Sequence, residues 1–128
     1  MVIAFLRENP FHHVFRKGMS PVEGGEYNGY VAFDKELPQS WQGLASFLDD
    51  NTLDNLVDVH GGITYDNSMS DWENEPVIPL TEIPSPEVLK AFRCIGFDTL
   101  HAGDTVEKWP IDAVKAETLR LKEQIEKL

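Results

Sequence analysis

The chain has 128 residues, of which 41% are apolar, and it carries a formal net charge of −11 at pH 7. The length predicts a single domain over residues 1–128, with enough apolar side chains for a real core. The charge excludes a general nucleic-acid or anionic-membrane binder, because phosphate neutralisation needs clustered Lys and Arg. The lone cysteine, Cys94, excludes an intrachain disulfide and points to a reducing, cytoplasmic setting.

The N-terminal run Met1–Leu6 is apolar but stops at Arg7-Glu8-Asn9-Pro10. It is too short for a signal peptide, and no run nears the roughly 20 apolar residues that cross a bilayer. Val2–Leu6 reads as a short strand. Phe11–Lys17 is aromatic and basic, and it holds His12 and His13. Neighbours on a strand point to opposite faces, so this pair is a poor chelate. Pro21–Asn28 reads as loop, and Tyr30–Phe33 as strand. Ser40 is a candidate cap for a short helix through Trp41, Leu44, Phe47 and Leu48.

Leu56–Val59 and Ile63–Tyr65 form two β-like runs around His60-Gly61-Gly62, either one bulged strand or a hairpin. Asp66–Pro86, rich in acid and proline, reads as a long surface excursion tied down by Trp72, Val77, Ile78, Leu80 and Ile83. Val88–Phe97 is the candidate central strand, with Gly96 as a bulge, and an Asp98–Asp104 loop follows. Pro110 suits the first turn of a closing helix. Its apolar stripe is Ile111, Val114, Thr118, Leu121, Ile125 and Leu128, with Lys122–Glu126 and Glu123–Lys127 pairs on the wet side. The strands are short and lack βαβ alternation. The predicted fold is therefore α+β: a small, mainly antiparallel sheet with the C-terminal amphipathic helix packed on one face.

Chemistry concentrates in two places. His60 and His101 each end a β-like run beside a glycine turn, next to the acids Asp58, Asp98 and Asp104. Asp58, His60, Asp98, His101 and Asp104 are mixed nitrogen and oxygen donors that suit a divalent metal, although Asp98-x-x-His101-x-x-Asp104 matches no established metal motif. The competing reading has each acid capping local backbone and each histidine in a structural hydrogen bond. Gly61, Gly62 and Gly103 could present backbone N–H groups to an anion. The predicted ligand set is thus His60, Gly61, Gly62, Asp98, His101, Gly103 and Asp104. Two histidines across a phosphodiester could act as general base and general acid. Arg93 and Lys108 are the nearest cations in sequence, and Cys94 is expected in the core. Trp41, Trp72 and Trp109 are expected in core or subunit contacts.

The second place is the stretch from Glu36 to Leu89, which contains no Lys or Arg but eleven acids, including Asp49, Asp50, Asp71, Glu73 and Glu75. A solvated acidic surface explains it. A cation site, or a face that docks on a basic partner as a nucleic-acid mimic would, also explains it.

Several motifs together resemble small uncharacterised proteins of tailed phages and prophages. They are Gly29-Tyr30-Val31, the turn Val59-His60-Gly61-Gly62, the segment Gly96-Phe97-Asp98-Thr99-Leu100-His101-Ala102-Gly103-Asp104 and the charged helix Ala113–Leu128. That pattern often has Cys-Ala after the first Asp, where this chain has Thr99-Leu100, so the resemblance implies no cysteine chemistry. It implies a bacterial host cytoplasm but no mechanism. The function expected from the residues is binding, with hydrolysis left open, of a small phosphorylated or nucleotide-like ligand, such as a host defence signal. The alternative is an acidic inhibitor or adaptor that occludes a basic host protein. A structural accessory role is the third reading, and self-association as a homo-oligomer is left open.

Overall fold

The computed structural model describes residues 1–9, 24–40, 52–71, 76–100 and 103–128. The expected helix after Ser40, the His12–His13 pair, Trp41, Trp72 and His101 lie outside these residues. In chain order the elements are β1 (Val2–Glu8), β2 (Tyr27–Phe33), the helical turn α1 (Leu53–Leu56), β3 (Tyr65–Ser68), β4 (Ile78–Pro79), the helical turn α2 (Pro86–Leu89), β5 (Arg93–Phe97) and α3 (Ile111–Lys127).

The strands form one sheet in the order β3-β5-β2-β1-β4, with every described pairing antiparallel. Central registers such as Phe5↔Tyr30 and Val31↔Ile95 fix which side chains share a face. Ala4, Leu6, Val31, Phe33, Ile95 and Phe97 face α3, which contributes the fully buried Val114, Leu121 and Ile125. The α+β fold with its C-terminal helix on one face is therefore observed. The helix comes close to β2 at Gly29. A β-carbon there would stand 2.1 Å from Thr118 Oγ1 and 2.5 Å from the Phe97 ring, so only glycine lets helix and strand meet. Lys35 Nζ donates to the Ile125 carbonyl at 2.9 Å and satisfies one terminal acceptor of α3.

The opposite face carries Ile3, Phe5, Tyr30, Ala32 and Cys94. The excursion between β3 and β5 covers it with Met69, Val77, Ile83, Leu89 and Phe92. Ile78 and Leu80 turn the other way and join the core beneath α3. Burial pushes the Cys94 thiol well above its ordinary range, as expected of a core cysteine.

Three segments differ from the sequence expectation. The runs around His60 form neither a bulged strand nor a hairpin, because Leu56 ends a helical turn, Val57–Val59 and Ile63–Thr64 are irregular, and only Tyr65 enters a strand. The central strand begins at Arg93, not Val88. Pro86 sets helical φ at the first position, and the Ser85 carbonyl accepts from Val88 and Leu89 N–H, so Pro86–Leu89 coils. Gly96 sits in regular register opposite Tyr30 without a bulge. Among the described residues no helix is long and apolar enough to cross a membrane.

Candidate functional site

The His60 turn is built by its neighbours. Val57 and Val59 are buried in the core beneath α3 and fix the chain on either side of Asp58. Val59 C=O accepts from Gly62 N–H at 2.9 Å, which closes the turn. Gly61 and Gly62 adopt φ of 69° and 78°, values that suit glycine. Asp54 Oδ1 then takes the Ile63 N–H at 2.8 Å. The helix holds the turn from outside. Glu117 Oε2 accepts the His60 N–H at 2.9 Å, and the Gln124 amide grips both backbone groups of Asp58 at 2.7 Å.

A second turn meets the first at the imidazole. His60 Nε2 lies 3.1 and 3.0 Å from the two carboxylate oxygens of Asp104. The Asp104 side chain is only 7% exposed and that of His60 24%. A carboxylate only accepts, so Nε2 carries the proton of this pair, which puts the lone pair of a neutral ring on Nδ1. The Asp104 carbonyl also accepts the Gly24 N–H at 3.0 Å, tying the turn to the segment before β2. Trp109 backs the imidazole, with ring centroids 4.1 Å apart, and leans in turn on Phe97 at 6.5 Å. Gly103, at φ 88°, precedes Asp104, and Lys108 Nζ stands 4.0 Å from the position of a β-carbon there.

On the α3 side of the turn the charges are paired. Glu117 holds the Arg120 guanidinium at 2.6 and 3.0 Å. Arg120 and the His60 N–H keep the Glu117 carboxyl below its ordinary range, although partial burial opposes this. Arg120 also reaches the exposed Asp58 carboxylate at 3.3 Å. What this arrangement can do is orient an imidazole. A buried carboxylate fixes its tautomer, an indole fixes its plane, and glycine turns open the backbone beside it.

Of the predicted ligand set, the chain brings together His60, Gly61, Gly62, Gly103 and Asp104. Asp58 points to Arg120 instead. Asp98 lies with Asn28 and Tyr30 in a separate cavity, and its Oδ1 accepts the Leu100 N–H at 3.3 Å. His101 lies outside the described residues, and with it the expectation that both histidines share one site. Among the described residues no three His, Cys, Asp or Glu side chains gather as a metal would need. Arg93, a candidate extra charge for the site, is engaged elsewhere. Its guanidinium grips Asp66 at 2.8 and 2.7 Å and the carbonyls of Leu37 and Pro38.

Comparison with family models, with curated proteins and with solved structures finds no match for this chain. The residues that sequence reasoning missed are Trp109, Glu117 and Gln124. Glu117 and Gln124 are polar positions flanking the apolar stripe of α3, and only the docked helix reveals their partners.

Proposed function

We propose that the protein binds a small phosphorylated or nucleotide-like ligand at the two turns joined by His60 and Asp104. The observation that carries this reading is the His60–Asp104 contact itself, which brings the Gly61-Gly62 turn and the Gly103 turn to one imidazole. Left-handed glycines can turn backbone N–H groups toward an anion; Gly62 N–H is spent on the Val59 carbonyl, so Gly61 and Gly103 are the donors this reading uses. Lys108 beside Gly103 supplies a cation, and Asp104 and Glu117 are matched by His60 and Arg120, while the Asp54 carboxylate against Gly62 takes the Ile63 N–H. Trp109 adds an aromatic surface at the same spot. The likeness of Val59–Gly62 and Gly96–Asp104 to phage-encoded proteins suggests a signal made by the bacterial host as the ligand, captured in its cytoplasm. The adaptor reading has less behind it. Asp54 and Asp66, acids of the basic-free stretch, are spent within the fold on Ile63 and Arg93, and the exposed Asp58 carboxylate already reaches Arg120. Asp49, Asp50, Glu73 and Glu75 lie outside the described residues.

A thermal-shift screen with inorganic phosphate, nucleoside mono-, di- and triphosphates and cyclic nucleotides tests the proposal. At least one compound should raise the melting temperature of the parent, by mass action on the folded state. His60→Gln and Lys108→Ala should each weaken that compound about tenfold, the equivalent of about 1.4 kcal/mol. A parent that no phosphorylated compound stabilises would remove the reading.

A further inference from the structure

One end of the sheet face opposite α3 is polar where the rest of that face is apolar. Along β1 the same alternation that presents Ile3 and Phe5 continues to Arg7 and Asn9. Along β2 it presents Asn28 beside Tyr30. Asn9, Asn28 and Tyr30 border a cavity of about 130 Å³ whose polar lining is completed by Thr64, Tyr65 and Asp98.

We propose that this cavity is a second binding site, for a neutral single-ring ligand with a hydrogen-bond donor and an acceptor on one edge, of the pyrimidine or aromatic carboxamide kind. Size sets the first limit. An apolar cavity of about 150 Å³ holds one benzene ring, so this one admits a single ring and no more. The lining sets the chemistry. Asn9 and Asn28 are only 5% and 7% exposed, and both are aimed by the fold. Asn9 Nδ2 donates to the Gly25 carbonyl at 2.9 Å, and Asn28 Oδ1 accepts the Thr99 N–H at 3.0 Å. The Asn28 side chain also hydrogen-bonds the Tyr30 hydroxyl. Two amides and a phenol held in place by the fold give the cavity fixed polar groups, the composition of a pocket that orients a polar ligand. Tyr30 and Tyr65 meet edge to face, centroids 5.6 Å apart at 85°, and form an aromatic corner against which a ring can pack. Charge sets the last limit. Asp98 lines the cavity, and the Arg7 guanidinium lies 5.8 Å over the ring of Tyr30, a lining residue, so neither sign of charge dominates and a neutral ligand fits best.

This site shares no polar residue with the His60 turns, so its test stands apart from theirs. The probes are uracil, cytosine and nicotinamide, titrated to about ten millimolar, a range suited to ring-sized fragments. The readout is the side-chain amide resonances of Asn9 and Asn28 in nitrogen–proton correlation spectra. At least one probe should move both pairs of resonances saturably. Thr64→Trp, which closes the mouth from an exposed position, should weaken that probe tenfold or more. Tyr65→Phe, which keeps the ring and removes the hydroxyl, should weaken it about fivefold, the worth of one ordinary hydrogen bond. Resonances that stay still for all three probes mean that the cavity holds water alone, and they overturn the proposal. Affinity unchanged in Tyr65→Phe and in any folded Thr64→Trp protein overturns it as well.

Discussion

Removing either partner of the His60–Asp104 contact should destabilise the protein, and by unequal amounts. The pair joins a side chain 24% exposed to one only 7% exposed. A hydrogen bond to a charged group contributes about 1.5–3 kcal/mol, and the exposure of the imidazole argues for the lower half. Asp104→Ala loses that bond but leaves an imidazole that water can reach, so it should cost about 1–2 kcal/mol. His60→Ala takes the imidazole partner from a buried carboxylate and also removes the ring tilted against Trp109 at 4.1 Å. That ring contact adds about 0.5–1.5 kcal/mol, so His60→Ala should cost about 2–4 kcal/mol. The double variant should cost less than the sum, with a coupling of about 1–2 kcal/mol. Urea unfolding of the four proteins, compared at equal slope, measures all three quantities. Additivity within about 0.5 kcal/mol would refute a real contact. A costlier Asp104→Ala would refute the argument from burial.

Three other predictions concern the fold. Gly29→Ala should cost about 2–4 kcal/mol in the same assay, since its β-carbon must displace Thr118 and strain the Thr118–Val114 hydrogen bond of 2.6 Å. A chain ending at Lys108 should show no cooperative melt by circular dichroism. It lacks Val114, Leu121 and Ile125, each worth about 1.5–3 kcal/mol of burial against a typical stability of about 5–15. The third is a pH effect. Burial raises the Asp66 carboxyl, but Arg93 and the Ser40 N–H outweigh it and hold it below its ordinary range. A folded value below the unfolded one adds stability above about pH 4 that is lost as pH falls further. Melting temperatures between pH 6 and 3 should therefore fall less steeply for Asp66→Asn than for the parent.

Helix α3 was legible because Val114, Thr118, Leu121 and Ile125 recur at steps of three and four, and all four are buried. The sheet was legible from short alternating runs without helical crossovers. Val88–Leu89 was misassigned because a short apolar run carries no period of its own, and Ser85-Pro86 decides its conformation locally. The glycine turns could be read because a left-handed backbone leaves glycine as its signature. Their partners could not be. Trp109 and Glu117 reach His60 through tertiary packing, and Asp98 and Asp104, six positions apart, end in different places. The amides of Asn9 and Asn28 looked like ordinary loop and turn residues until the sheet register set them beside Tyr30.

The central claim is that the turns joined by His60 and Asp104 form one anion-accepting site. An amide-resolved nuclear magnetic resonance titration of the parent with adenosine monophosphate and cyclic adenosine monophosphate tests it most directly. The largest saturable shifts should fall on the backbone amides of Gly61 and Gly103 and on the Trp109 indole N–H, and they should be lost in His60→Gln. Saturable shifts confined to other residues, or none at these three groups, would contradict it.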